Sequence, residues 1–138
     1  IAEYVSGNVG SQVLKKGTNT IILDAYNANA SSMEAAINNL ANMKAARKVA
    51  VLGDMFELEQ EAEKEHQKIG ELLNTKKFDQ VYFCGNLMKA AKNMYAAGQL
   101  FEKKEVLIAE LKKHPIKDST ILVKASRGIG LESIVEYL

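Results

Sequence analysis

In Asp24-Ala25-Tyr26-Asn27-Ala28-Asn29-Ala30-Ser31-Ser32-Met33 an apolar run ends, a polar loop follows and a helix begins. Upstream, Thr20 to Leu23 is short, β-branched and apolar, the pattern of a strand buried on both faces. Downstream, Ser31 and Glu34 stand at capping-box spacing, so that Ser31 can accept from an early helical N–H while Glu34 reaches back. The loop is therefore expected at the C-terminal end of a strand and beside a helix N-terminus. Open α/β sheets bind ligands at that place, and helix N–H groups there attract anions. Tyr26, Asn27, Asn29 and Ser31 become candidate binding residues. The bland alternative is that both asparagines merely satisfy turn backbone.

Working outward, Ser11 to Leu14 is expected as a short strand that turns at Lys16-Gly17 into the first buried strand, giving a hairpin at a sheet edge. From Ser32 a helix carries Met33, Ala36, Ile37, Leu40 and Met43 at helical spacing. It runs out into Lys44, Arg47 and Lys48, a charge that suits a helix C-terminus. Val49 to Leu52 is the second buried strand and stops at Gly53-Asp54-Met55. An acidic stretch from Glu57 leads to a helix with Ala62, His66, Ile69, Leu72 and Leu73 on one face. Val81 to Cys84 is the next strand, closed by Gly85-Asn86. Leu87 to Ala97 has helical character, Gln99 to Phe101 suits a short strand, and Val106 to Lys113 is a helix stopped by Pro115. Thr120 to Lys124 is the last strand, followed by Ala125-Ser126-Arg127-Gly128 and a closing helix over Leu131 to Leu138.

Strands alternating with helices predict an α/β fold: a Rossmann-like, doubly wound, mainly parallel sheet with helices on both faces and an antiparallel edge strand. In that fold the segments Asp24 to Asn29, Gly53-Asp54, Gly85-Asn86 and Lys124 to Gly128 all follow strand C-termini and converge on one edge.

The totals narrow the function classes. A chain of 138 residues, 47% hydrophobic and 25% charged, is one domain's worth and needs no disulfide or metal staple. A net charge of +1, with the basic residues dispersed, gives no footprint for nucleic acid. No apolar run reaches membrane-spanning length, so no membrane partner is expected, and the lone Cys84 suits a reducing compartment. The start at Ile1 rather than Met hints at something upstream.

Neither a G-x-x-x-x-G-K-[ST] loop nor a strand-linked G-x-G-x-x-G occurs, so the chain shows no triphosphate cradle. His66 and His114 stand far apart and one cysteine builds no zinc set, so no metal site is expected. His66, on an apolar helix face, suits a core histidine better than a ligand. No Ser–His–acid arrangement is recognisable. Lys124-Ala125-Ser126-Arg127 is more informative. A lysine ending an apolar strand needs an anion or a carbonyl to meet it, and Arg127 offers a forked donor for carboxylate or phosphate. The structural alternatives are a snorkelling lysine, a capping arginine, and an Asp54 that serves only as an N-cap.

DAYNANASSM, VAVLGDMFEL with His66 in the next helix, and LVKASRGIGLE, in that order, resemble the C-terminal domain of the Mur ligase family from Thr20 to the end of the chain. Two positions depart from the family pattern: Ala30 stands where proline is usual and Ala125 where glycine is usual. The resemblance implies the closing domain of a three-domain cytoplasmic enzyme of peptidoglycan synthesis, of the branch that adds D-alanyl-D-alanine to UDP-N-acetylmuramoyl-tripeptide. It implies that an N-terminal domain holds the UDP-sugar, and that a central domain holds ATP and Mg2+. ATP then phosphorylates the tripeptide carboxylate and the dipeptide amine attacks the acyl phosphate. By the same resemblance Tyr26, Asn27, Asn29 and Ser31 would contact nucleotide or dipeptide, and Asp54 and Met55 would line the cleft. Lys124, Ser126 and Arg127 would face the dipeptide carboxylate or the transferring phosphate. No catalytic residue is expected within this domain alone, which would be inactive in isolation. The competing readings are a receiver-like phospho-acceptor domain built on Asp24, Asp54 and Lys124, and an α/β binding module without chemistry.

Overall fold

The computed structural model describes residues 2–4, 11–25 and 27–138. Along them the chain runs β1 (Ala2–Tyr4), β2 (Gln12–Lys16), β3 (Asn19–Asp24), α1 (Ala30–Asn42), β4 (Lys48–Gly53), α2 (Ala62–Leu73), β5 (Gln80–Cys84), α3 (Lys89–Met94), β6 (Gln99–Phe101), α4 (Lys104–Lys113) and β7 (Thr120–Lys124). Short 3-10 segments lie at Glu59–Glu61, Arg127–Ile129 and Leu131–Tyr137. Among the described residues the strands form one seven-stranded sheet in the order β1-β2-β3-β7-β4-β5-β6. The strands from β3 to β6 are mutually parallel, while β1 and β2 are antiparallel additions at one edge. Gly17, at φ +58°, makes the tight turn between β2 and β3, a conformation that costs glycine little.

The last strand in sequence is central in space. β7 lies between β3 and β4, so the chain leaves β3, winds outward through β4, β5 and β6, and returns. The outward crossovers use α1, α2 and α3, which share one core with Ala50, Leu52, Val81, Phe83 and Leu122. The return uses α4, which packs with the 131–137 segment against Ile21, Val49, Val51, Tyr82, Ile121 and Val123 on the opposite face. Right-handed crossovers dictate this division, because reversing the direction of travel along a parallel sheet changes the face. Adjacent residues of β4 and β7 therefore feed different cores, and both strands are continuously apolar through their middles, residues 49–52 and 121–123, rather than alternating.

Several boundaries differ from the sequence reading. The edge carries two antiparallel strands instead of one. α1 begins at Ala30, not Ser32, and its cap is Asn29: the Asn29 side chain accepts from Ser32 N–H at 2.8 Å and Ser32 Oγ accepts from Asn29 N–H at 3.0 Å. The Ser31/Glu34 box is thus displaced by an Asn29/Ser32 box two residues earlier, asparagine being at least as good an N-cap. Lys44 and Arg47 lie beyond the helix end, but Lys48 returns from β4 to donate to the Ala41 carbonyl at 2.6 Å. α3 is confined to Lys89–Met94, α4 starts two residues earlier than read, and the closing segment is 3-10 rather than α-helical. Asn19 staples the far end of the sheet. Its Nδ2 donates to the carbonyls of Ile116 and Leu138, and its Oδ1 accepts from Ser119 N–H.

Candidate functional site at the carboxyl edge of the sheet

Parallel pairing sets Asp24 of β3 beside Lys124 of β7. Both side chains project to the α1 face, and the Lys124 ammonium lies 2.8 Å from Asp24 Oδ2 with side-chain exposures of 2% and 16%. Lys124 also donates to the Asn27 carbonyl at 3.1 Å. The lysine thus finds both an anion and a carbonyl, as its position at the end of an apolar strand requires.

The loop after β4 is bound to its neighbours on both sides. Asp54 N–H donates to Cys84 carbonyl at 3.1 Å and the Asp54 carbonyl accepts from Ser126 N–H at 3.0 Å. Phe56 N–H donates to Ser126 Oγ at 2.7 Å, and that hydroxyl lies 3.5 Å from the Ala28 carbonyl. The Asp54 carboxylate is 4% exposed and accepts from Met88 N–H at 3.0 Å, so it caps the turn leading into α3 rather than the segment that follows it in sequence. Burial pushes its carboxyl above the ordinary range, against the opposing pull of the Leu87 and Met88 N–H groups. Gly85, at φ +121°, lies against that carboxylate, and any side chain there would collide with it. Cys84 is buried, and desolvation, followed by the Asp54 charge, pushes its thiol up to about 11.

Beside this network a groove of about 660 Å³ runs along α1. Its sheet wall is Val13, Ile22 and Leu122 and its helix wall Ala36, Asn39, Leu40 and Met43, while Asn27, Asn29, Ser32, Asp24 and Lys124 lie towards the loops. Such a groove, apolar in its walls and polar at one end, can take a small ligand with a polar head.

The residues singled out in the sequence fall into distinct positions. Asn27, Asn29, Ser31 and Arg127 are exposed at the edge, whereas Asp54, Met55, Lys124 and Ser126 are buried beneath them. Tyr26 lies outside the described residues. Asp54 and Met55 therefore do not line an open cleft as expected; Phe56, 40% exposed and with its ring close to Gly128, occupies that surface instead. Sequence reading passed over Phe56 and the groove. Asp54 and Met55 are both buried and only Phe56 turns outward, so no alternation in the sequence marked the first. Ala30 occupies the first helical position and Ala125 is not among the positive-φ residues, so neither alanine stands in a backbone conformation that it disfavours.

Among the described residues no three His, Cys, Asp or Glu side chains gather to hold a metal ion. The donor chemistry agrees: Asp24 is committed to Lys124 and Asp54 to backbone amides. These residues do not fit a Mg2+ site. No helix among them is long and apolar enough to cross a membrane.

The sheet order, the split of crossovers between faces and the polar loops gathered at one edge define a Rossmann-like α/β domain. The family model described as "Mur ligase, glutamate ligase domain" matches residues 11–127, and the chain belongs to that family. It is 39% identical over 123 residues to the UDP-N-acetylmuramoyl-tripeptide–D-alanyl-D-alanine ligase of Escherichia coli K12, covering 87% of this chain and 27% of the relative. Against the enzyme of the same name from Bacillus subtilis 168 it is 38% identical over 128 residues, covering 86% and 28%. MurF ligase from Thermotoga maritima in complex with ADP superposes with a TM-score of 0.79 at 25% identity, over 98% of this chain and 31% of that one. The chain thus spans less than a third of the length of each of these three relatives. The receiver-like reading is overturned by this membership, and the binding-module reading loses its support to ligase relatives.

Proposed function

We propose that the chain is the C-terminal closing domain of a three-domain, ATP-dependent ligase of the cytoplasm. That ligase adds D-alanyl-D-alanine to UDP-N-acetylmuramoyl-tripeptide in peptidoglycan precursor synthesis. The observation that carries this reading is the 38–39% identity, over 86–87% of the chain, to ligases bearing that name. In this reading the UDP-sugar, ATP and Mg2+ are held by the other two domains; the sequence itself carries no phosphate-loop motif.

The reaction joins the dipeptide amine nitrogen to the tripeptide acyl carbon as the bond from that carbon to the phosphate oxygen breaks; inorganic phosphate leaves and the amine proton is lost. The domain's part is to orient and to exclude water, since an acyl phosphate exposed to solvent is hydrolysed. Asn27, Asn29 and Ser31 supply polar groups at the rim for nucleotide or dipeptide, and Tyr26, adjacent in sequence, is assigned to the same role. Arg127 offers a guanidinium to carboxylate or phosphoryl oxygens. Lys124 and Ser126 act from beneath, Lys124 holding the Asn27 carbonyl and Ser126 the Phe56 amide.

Phosphate release by the full protein, dependent on both UDP-N-acetylmuramoyl-tripeptide and D-alanyl-D-alanine, tests this. Release that needs both substrates, with no ATP turnover by the 138-residue chain alone, is the expected result. Release with other amines and none with D-alanyl-D-alanine, or turnover by the chain alone, would overturn it.

A further inference from the structure

His66 of α2 is wholly buried, and both of its ring nitrogens are engaged. Nε2 lies 3.0 Å from the Met55 nitrogen, and Nδ1 lies 2.6 Å from the Ala62 carbonyl oxygen one turn back on the same helix. A backbone N–H can only donate and a carbonyl can only accept. The partners therefore assign a neutral ring with its proton on Nδ1.

Met55 is the middle member of a run of three backbone N–H groups that go to three different elements. Asp54 donates to Cys84 at the end of β5, Met55 to His66 on α2, and Phe56 to the Ser126 hydroxyl beyond β7. The last contact reaches across the edge, because the Ser126 hydroxyl also faces the Ala28 carbonyl in the 27–29 loop. A leucine would fill the volume of the imidazole, but it would leave a buried N–H without an acceptor at the point where the loop turns from strand to surface.

We propose that His66 is a positioning residue for the ligase reaction. By accepting the Met55 N–H it fixes the path of the 54–56 backbone, and through the Phe56 N–H it fixes the Ser126 hydroxyl between the Asn27–Asn29 loop and the Lys124–Arg127 segment. This rests on the ligase reading above.

Substitutions that keep one ring contact at a time separate positioning from packing. A glutamine carboxamide reaches the place of Nε2, so His66→Gln retains an acceptor for Met55. An asparagine reaches the place of Nδ1, so His66→Asn retains the Ala62 contact and loses the loop; His66→Leu retains neither. In the full protein, assayed well below each variant's Tm, kcat/KM for ligation is expected to fall about five- to a hundredfold in His66→Asn and His66→Leu. His66→Gln is expected to stay within about threefold of wild type. Equal activity in all three, or equal loss in all three, would overturn the proposal. Nitrogen-15 shifts of the imidazole in the wild-type protein supply a readout independent of ligation: a protonated Nδ1 and an unprotonated Nε2 are expected, and the reverse tautomer would overturn the clamp. Should the wild type not ligate, the ligase reading fails, while the tautomer and the Phe56 and Ser126 amide shifts in His66→Asn still decide the clamp.

Discussion

The Lys124 ammonium and the Asp24 carboxylate meet at 2.8 Å across β3 and β7, nearly out of reach of water. A pair so placed contributes little net charge to its surroundings, and each partner depends on the other. Removing one side leaves a buried charge uncompensated, which costs about 3–5 kcal/mol. Lys124→Met is expected at the upper end of that range and Asp24→Asn lower, because Asp24 retains 16% exposure. Urea unfolding measures both, and the double variant should recover part of the loss; strict additivity would show that the pair is not coupled.

Arg127 is exposed at the start of its 3-10 segment, so its stability and kinetic effects are to be measured side by side. Arg127→Ala is expected to lower stability by no more than about 1 kcal/mol, the range of an exposed polar or ionic contact. Its effect falls on ligation by the full protein, where loss of a charge-assisted hydrogen bond lowers kcat/KM by about ten- to a hundredfold. Unaltered kinetics would remove Arg127 from the proposed site.

Ala30 is the first residue of α1, after an N-cap at φ −127° and ψ 177°. Proline is favoured at the first helical position, where its missing N–H has no helical partner to lose, and it requires an extended residue before it. Ala30→Pro is therefore expected to leave stability unchanged or to raise it by about 0.4–1 kcal/mol. Asn29→Ala removes the cap and should cost about 0.5–2 kcal/mol in the same assay. A destabilising proline would place Ala30 outside helical geometry.

Asp54 gives a pH signature. Its carboxyl is raised in the folded chain by burial, so the folded state holds that proton more tightly than the unfolded state. The contribution is fully present below the ordinary value of 3.8 and is lost as pH rises through the raised value. Asp54→Asn, which keeps an acceptor oxygen for Met88, should therefore gain stability relative to wild type as pH rises from about 3 to about 7. Urea midpoints across that range give the slope, and the opposite sign would mean that the backbone amides outweigh burial.

Cys84 should be inert while the chain is folded. With the thiol 2% exposed and pushed up to about 11, iodoacetamide is expected to react at least about a hundredfold more slowly than with an unfolded control. A rate near that of the control would reveal local opening at β5.

The central strands and the meeting of their loops were legible because strands buried on both faces are written as continuous apolar runs, and the polar residues that stop them lie at one edge by topology. The helix start was misread because Asn29-Ser32 and Ser31-Glu34 overlap as capping boxes, and choosing between them depends on where β3 releases the chain. The roles of Asp54 and His66 were hidden for another reason. Their partners, Met88 and Met55, are backbone groups brought near by tertiary packing, and a backbone N–H leaves no mark in a sequence. Met55 is buried and Phe56 exposed although both follow the same strand end, a difference that the apolar character they share does not announce.

The place of β7 in the sheet also orders the birth of the domain. Emerging from a ribosome, β3 and β4 have no neighbour between them, and Asn19 has neither the Ile116 nor the Leu138 carbonyl to hold. Until Thr120 to Lys124 arrive, the two halves of the sheet present bare parallel edges, the kind of surface on which nascent chains aggregate. The domain can close only after Thr120 to Lys124 have been made, and its folding is governed by contacts spanning about a hundred residues.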